Sequence, residues 1–295
     1  MRGLLKTLFA SALGLLLLAS PALAAGYATD DAGVLYQVVP DQPAIERIGP
    51  VQVTTKAKDG TTSTTRPTLT DLALSDLHGL YGISYDTLYR IDMRDPSKSV
   101  RIGALRKTGF GQFNALAFDE EGRLFALEYG VLHQVDLKTG LARVLGSLGG
   151  NWGSDGDLAW VGDALYATVN GGGGAACHLV RINMKTWKAT DVGRIRETAK
   201  VTTGAQAGPQ GKAGTKGKES GPAPAPKAKG EAGPRRRPLT LRHFDDVWGL
   251  VWDGRDLYGV TPQGELLQID YRSGRAVVVL RVRATFYGAC AMLRI

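Results

Sequence analysis

Four stretches of this chain are variants of one phrase. Residues 70–92 read TDLALSDLHGLYGISYDTLYRID, residues 114–136 read NALAFDEEGRLFALEYGVLHQVD, and residues 248–270 read WGLVWDGRDLYGVTPQGELLQID. Residues 156–183 carry the same phrase lengthened by the glycines at 171–174. The four starts lie 44, 42 and 92 residues apart, the long interval containing an insert, and a period near 42 restricts the chain to architectures in which each unit hides its apolar surface against the next copy. Each copy parses alike. An apolar run (Leu116-Ala117-Phe118) meets an Asp- and Gly-containing turn (Asp119 to Gly122), then a second run (Leu124 to Leu127). A glycine-containing turn leads to a third run ending Val135-Asp136, and a turn closing at Gly140 leads to a fourth, Ala142 to Leu148.

Four short strands joined by three tight hairpins are the content of one β-propeller blade. Apolar residues on both faces fit a blade sandwiched between neighbours. The ring also closes on paper. The C-terminal YGACAMLRI (287–295) matches the opening of the phrase at 248–256, and GYATDDAGVLYQVV (26–39) matches its continuation at 257–270. Joined, they make a fifth copy. The chain is therefore predicted to be all-β, a five-bladed β-propeller closed by N-terminal strands pairing with the C-terminal strand, which removes exposed edges at the seam. A solenoid would need capping ends rather than complementary ones.

The Leu-Tyr-Gly strand at 257–259 and the Ile-Asp-x-x-Ser-Gly turn from Ile269 to Gly274 resemble those of quinoprotein-like, NHL-type and gluconolactonase-like propellers. The resemblance covers nearly all of residues 25–295 outside 196–242. It implies a fold and not a chemistry, because these families share architecture and differ in what they do.

Residues 1–24 read as an address. Arg2 and Lys6 precede the apolar run Leu8 to Ala19, and Ala22-Leu23-Ala24 has the small-x-small pattern of a signal-peptidase site. The run is too short for a bilayer, which needs about 20 apolar residues. A periplasmic or secreted protein without a transmembrane anchor follows, with residues 25–295 as a single domain. The net charge of +8 suggests nucleic acid only until it is located. Residues 196–242 hold eleven Lys or Arg against three Glu, and the remainder of the mature chain is close to neutral. That Gly-, Pro-, Ala- and Lys-rich stretch lacks the apolar residues needed to order itself, so it is predicted to be a disordered insert. Arg235, Arg236 and Arg237 suit contact with an anionic surface, with no specific nucleic-acid partner. Cys177 and Cys290 fall in blades too far apart for a disulfide, since a bridge needs Cα atoms within about 7 Å.

Propeller geometry, as the resemblance implies it, puts the first-to-second and third-to-fourth turns on one face. There they are uniformly short. The other face carries longer connections: Val53 to Pro67, Arg106 to Gln112, Gly149 to Gly156, Asn170 to Ala176, and the insert. Loops stay short unless they are used, so the elaborated face is the predicted working face. Trp152, Asp155, Asp157, Asp246, Trp248 and Tyr287 enter the innermost strands there and are the candidate ligand-binding residues. Trp152 stands beside glycines and is expected to be exposed. Trp160, Trp187 and Trp252 are expected to be structural.

Two functions fit this face. The favoured one is a binding or scaffolding module for a protein or glycan ligand in the cell envelope, with aromatic stacking and carboxylate acceptors. The alternative follows from gluconolactonase-like propellers, whose channel holds a divalent cation such as Ca. Here Asp71, Asn114, Asp157 and Asp246 would be its oxygen donors for ester or lactone hydrolysis. Asn114 and Asp246 are offset from the repeat position shared by Asp71 and Asp157. The four histidines (His78, His133, His178, His243) fall in different blades. No G-x-S-x-G or H-E-x-x-H motif occurs, so no catalytic residue is assigned.

Overall fold

The structure, a computed structural model, describes residues 25–39, 44–109, 111–171, 176–198, 242–281, 286 and 292–293. The proposed signal peptide, most of the basic insert, Tyr287 and Cys290 lie outside the described residues. The strands form five small antiparallel sheets, each the blade of a propeller. From the innermost strand outward, blade 2 is Asp71–Ser75, Gly79–Ile83, Thr87–Ile91 and Val100–Ala104. Blade 3 is Phe113–Phe118, Leu124–Glu128, Val131–Val135 and Ala142–Ser147. Blade 4 is Trp152–Val161, Ala164–Gly171, Cys177–Ile182 and Ala189–Arg194. Blade 5 is Gly249–Trp252, Leu257–Val260, Glu265–Asp270 and Arg275–Arg281.

Blade 1 is the predicted clasp. Its innermost strand, Met292–Leu293, pairs antiparallel with Ala25–Thr29, Ala25 facing Leu293 and Gly26 facing Met292. Val34–Val39 and Ala44–Pro50 complete it. A bridge between Asp30 and Phe286 extends the seam.

Alternation explains why both faces of each strand are apolar. Leu124 packs toward blade 2 with Tyr81 and Leu88, while its neighbour Phe125 packs toward blade 4 with Leu165 and Ala167. Successive strand residues point to opposite faces, and here both faces meet another sheet. Fully burying a side chain such as Leu124 contributes roughly 1.5–3 kcal/mol, so the blade seams are the main source of stability.

The outer rim is stitched by single backbone bonds between neighbouring blades. Ala142 N donates to Leu105 O and Ala189 N to Leu148 O, each at 2.8 Å. The link from blade 4 to blade 5 adds an extra strand, Arg196–Glu197, parallel to Arg275 and Ala276. Glu197 N donates to Arg242 O at 2.8 Å and Phe244 N to Ile195 O at 3.1 Å, so the two ends of the insert leave the ring side by side. The link from blade 1 to blade 2 forms an exposed hairpin, Val53–Lys56 with Thr62–Thr65. No helix among the described residues is long and apolar enough to cross a membrane.

Candidate functional site

The innermost strands surround a narrow channel, and two buried carboxylates cross it. Asp71 of blade 2 accepts from its neighbour Leu72 N at 2.7 Å and from Leu116 N of blade 3 at 2.5 Å. Asp157 of blade 4 accepts from Leu158 N at 2.5 Å and from Leu250 N of blade 5. Each therefore ties its own blade to the backbone of the next one in the ring, blade 2 to blade 3 and blade 4 to blade 5. The two carboxyls also lie close enough to act on one another directly. Burial foremost, and for Asp71 the charge of Asp157 next, holds both well above the usual carboxylate range. Ionising both members of such a pair is costly. Beyond it, toward the short turns, the inner strands of blades 2 to 5 enclose a cavity of ≈ 110 Å³.

On the elaborated face, the channel mouth widens into a pocket of ≈ 340 Å³ lined by Thr70, Tyr85, Asn114, Ser154, Asp155, Gly156 and Trp248. Three of these residues hold a buried oxygen with no hydrogen-bond partner among the described residues: Asn114 Oδ1, Ser154 Oγ and Asp155 Oδ2. Native interiors rarely leave such atoms unsatisfied, and a bound ligand or water is the ordinary explanation. Asn114 is oriented by its own amide, which donates to Ser154 O at 3.3 Å, and Ser154 N in turn donates to Tyr129 O at 2.6 Å. Burial raises the Asp155 pKa to about 7, while the Cys177 thiol and the Val247 N–H bond to its carboxyl and Asp246 adds repulsion.

Asp155 and Trp248, named from sequence, line this pocket. Asp157 lies deeper, in the cross-channel pair. Asp246 is half-buried beside Asp155, its pKa raised by burial and then by Asp245. Trp152 differs from the expectation of an exposed loop residue. It opens the ten-residue inner strand of blade 4 opposite Gly171, half-buried, with its ring 5.4 Å from His178. Tyr85 and Tyr129, 53% and 63% exposed, are aromatic residues of this face that the sequence reading did not single out. Each sits in a second-to-third turn, where an aromatic residue is not needed for folding. That was the available signal.

The proposed cation donors are divided. Both oxygens of Asp71 and of Asp157 are engaged by backbone N–H groups, and Asp246 associates with Asp155 rather than with that pair. Among the described residues, no group of three or more His, Cys, Asp or Glu side chains is gathered as a metal site. The donor set does not fit a divalent cation.

No protein-family model matches the chain, and no curated protein matches it. Among solved structures it is similar to a chain of a nidogen/laminin complex, with 10% identity, 91% of this chain and 97% of that chain covered, and a TM-score of 0.47. It is also similar to a protein of unknown function from Bacteroides caccae, with 10% identity, 92% and 100% covered, and a TM-score of 0.46. A structural genomics protein of unknown function from Bacteroides thetaiotaomicron matches with 17% identity, 92% and 65% covered, and a TM-score of 0.44.

Proposed function

We propose that this protein is an exported binding module, periplasmic or secreted, that takes a glycan or protein ligand at the channel mouth of its elaborated face. The observation that carries the reading is the pocket itself. Tyr85 and Trp248 flank it, and Asn114, Ser154 and Asp155 bring it three unsatisfied oxygens. A group rich in hydrogen-bond donors, such as a sugar ring with its hydroxyls, would satisfy the oxygens and stack on the aromatic faces. The basic insert, residues 196–242, would add weak, salt-sensitive contact with anionic surfaces.

Binding of the mature chain to an array of immobilised oligosaccharides, read at neutral pH, tests this. Trp248→Ala and Tyr85→Ala should each weaken any hit by about ten-fold, the usual effect of losing a central aromatic anchor. Hits that survive both substitutions, or turnover of a lactone substrate abolished by chelator, would refute the reading.

A further inference from the structure

Equivalent residues build the blade seams, and one seam is left open. Tyr81, Phe125, Tyr166 and Tyr258 share one place on the second strands, and Trp160 and Trp252 share another on the innermost strands. At the seam between blades 4 and 5, Tyr271 fills the space, edge-on to Tyr166 at 6.0 Å and to Trp252 at 5.6 Å. At the seam between blades 3 and 4, Met184 stands at the place of Tyr271, as Met93 and Leu137 do in blades 2 and 3, so Tyr271 is the one aromatic residue at this position in blades 2 to 5. Phe125 and Trp160 meet edge-on at 5.8 Å, and a groove of ≈ 770 Å³ opens on the short-turn face. Phe125, Leu145, Trp160, Met184 and Trp187 form its apolar walls.

Trp187 is a second departure from the repeat. The third-to-fourth turn ends on Gly140 in blade 3 and Gly274 in blade 5, at φ 80° and 69°. Blade 4 keeps the turn, with Asn183 Oδ1 accepting from Lys185 N and Thr186 N, but places Trp187 there at φ 63°. A bulky residue in the left-handed region is an outlier, and such outliers gather where a site uses the side chain they hold. Its side chain packs against Gly146 of blade 3, where an added Cβ would fall 2.5 Å from Trp187 Cδ1.

The rim supplies the charge. Asp119, Glu120, Glu121 and Asp163 line it together with Arg123 and Arg143. Arg123 is held by Asp119 at 2.5 Å and Glu121 at 2.9 Å, with its guanidinium 6.0 Å from the Phe125 ring centroid. One cation of the chain thus already lies against an aromatic wall. Glu120 and Asp163 make no ion pair among the described residues.

From the open seam, the strained tryptophan and the acidic rim, we infer that this groove docks an external peptide bearing lysine or arginine. Its cation is held by the tryptophan faces and by the Glu120 and Asp163 carboxylates. Aromatic walls with unpaired carboxylates favour a desolvated cation over a neutral ligand. The site lies on the face opposite the channel mouth, so the two can fail separately.

The test is fluorescence anisotropy of the full mature chain at physiological salt, with a labelled Gly-Arg-Gly-Arg-Gly peptide and a Glu-for-Arg counterpart. Trp187→Gly restores the residue that blades 3 and 5 use and should fold. It and the pair Glu120→Gln with Asp163→Asn should each weaken the arginine peptide roughly ten-fold, while Trp248→Ala changes nothing. Equal binding of the glutamate peptide, or arginine-peptide affinity indifferent to both groove variants, would overturn the proposal. So would tighter binding after residues 199–241 are replaced by a short linker, which would assign the groove to the chain's own basic segment. An oligosaccharide that binds there in place of the peptide would overturn it as well.

Discussion

Replacing Asp155 with asparagine keeps the shape of the side chain and removes its titration. In the folded protein, burial sets the carboxyl near pH 7, whereas an unperturbed carboxyl titrates near 3.8. Between those values the folded state holds a proton that the unfolded chain has released. Stability from this group is therefore fully present below the lower value and is lost as pH rises through 7. A gap of roughly three units at 1.36 kcal/mol each is about 4 kcal/mol between pH 4 and pH 8.5. The residue is 8% exposed, so solvent screening removes little of it. For a chain of this size that is roughly 8–16 °C in melting temperature. Thermal unfolding of the parent and of Asp155→Asn, measured across that range, isolates the residue, because the other groups titrate in both proteins. The variant should gain on the parent steadily as pH rises and end the more stable of the two. A difference between the two melting curves that does not change with pH would show that the carboxyl ionises freely, and the reasoning from burial would fail.

Asp71→Ala removes the acceptor of Leu72 N and Leu116 N, and Asp157→Ala that of Leu158 N and Leu250 N; each should cost at least about 1–3 kcal/mol, the penalty for one stranded buried N–H. Because the two carboxyls touch, denaturant unfolding of the double variant should depart from the sum of the singles, and strict additivity would disprove the contact. Deleting residues 287–295 removes the innermost strand of blade 1 and bares the edge of Ala25–Thr29; cooperative melting should be lost and aggregation should appear, and a parent-like melt would contradict the clasp. Substituting a short Gly-Ser linker for residues 199–241 should leave the melting temperature within a few degrees, since loop length changes closure entropy only slowly and the ends already touch. A large loss would mean that the segment packs on the ring.

The fold was legible because its signals are local and repeated. The Asp136 turn is an example: its carboxylate accepts from Lys138 N at 3.0 Å and Thr139 N at 2.7 Å, a contact any Asp at that spacing can make. The site was legible only where it coincided with the repeat. Asp71 and Asp157 align, but their partners belong to other blades and no spacing reveals them. The offset of Asn114 has a structural cause: the register shifts between Phe113 and Ala115, a bulge that turns Asn114 out of the ladder toward Ser154. Trp152 was misplaced because Gly149, Gly150 and Gly153 resemble a loop. Gly153 is instead a close approach within the sheet, where a Cβ would come 2.7 Å from Asn170 Oδ1. The groove between blades 3 and 4 was not legible because tryptophans in strands and turns read as packing, and only the structure shows Trp160 and Trp187 lining one cavity with the Asp119 to Arg123 turn.

At one place this ring is completed by hydrogen bonds rather than by covalent continuity, and at another the covalent path is a long detour whose two ends hydrogen-bond to each other. Leu293 lies opposite Ala25, antiparallel, in the arrangement that a turn such as Asp119 to Gly122 joins elsewhere in the molecule. Glu197 and Arg242 stand side by side at the base of the insert. Chain order is therefore separable from architecture. A circular permutant with a short turn from Leu293 to Ala25, opened between Thr198 and Arg242, would present the same five sheets. Blade 1 would then be continuous, and the new ends would emerge beside the outer strand of blade 5. The route of the polypeptide around the ring is one of several that the same contacts allow.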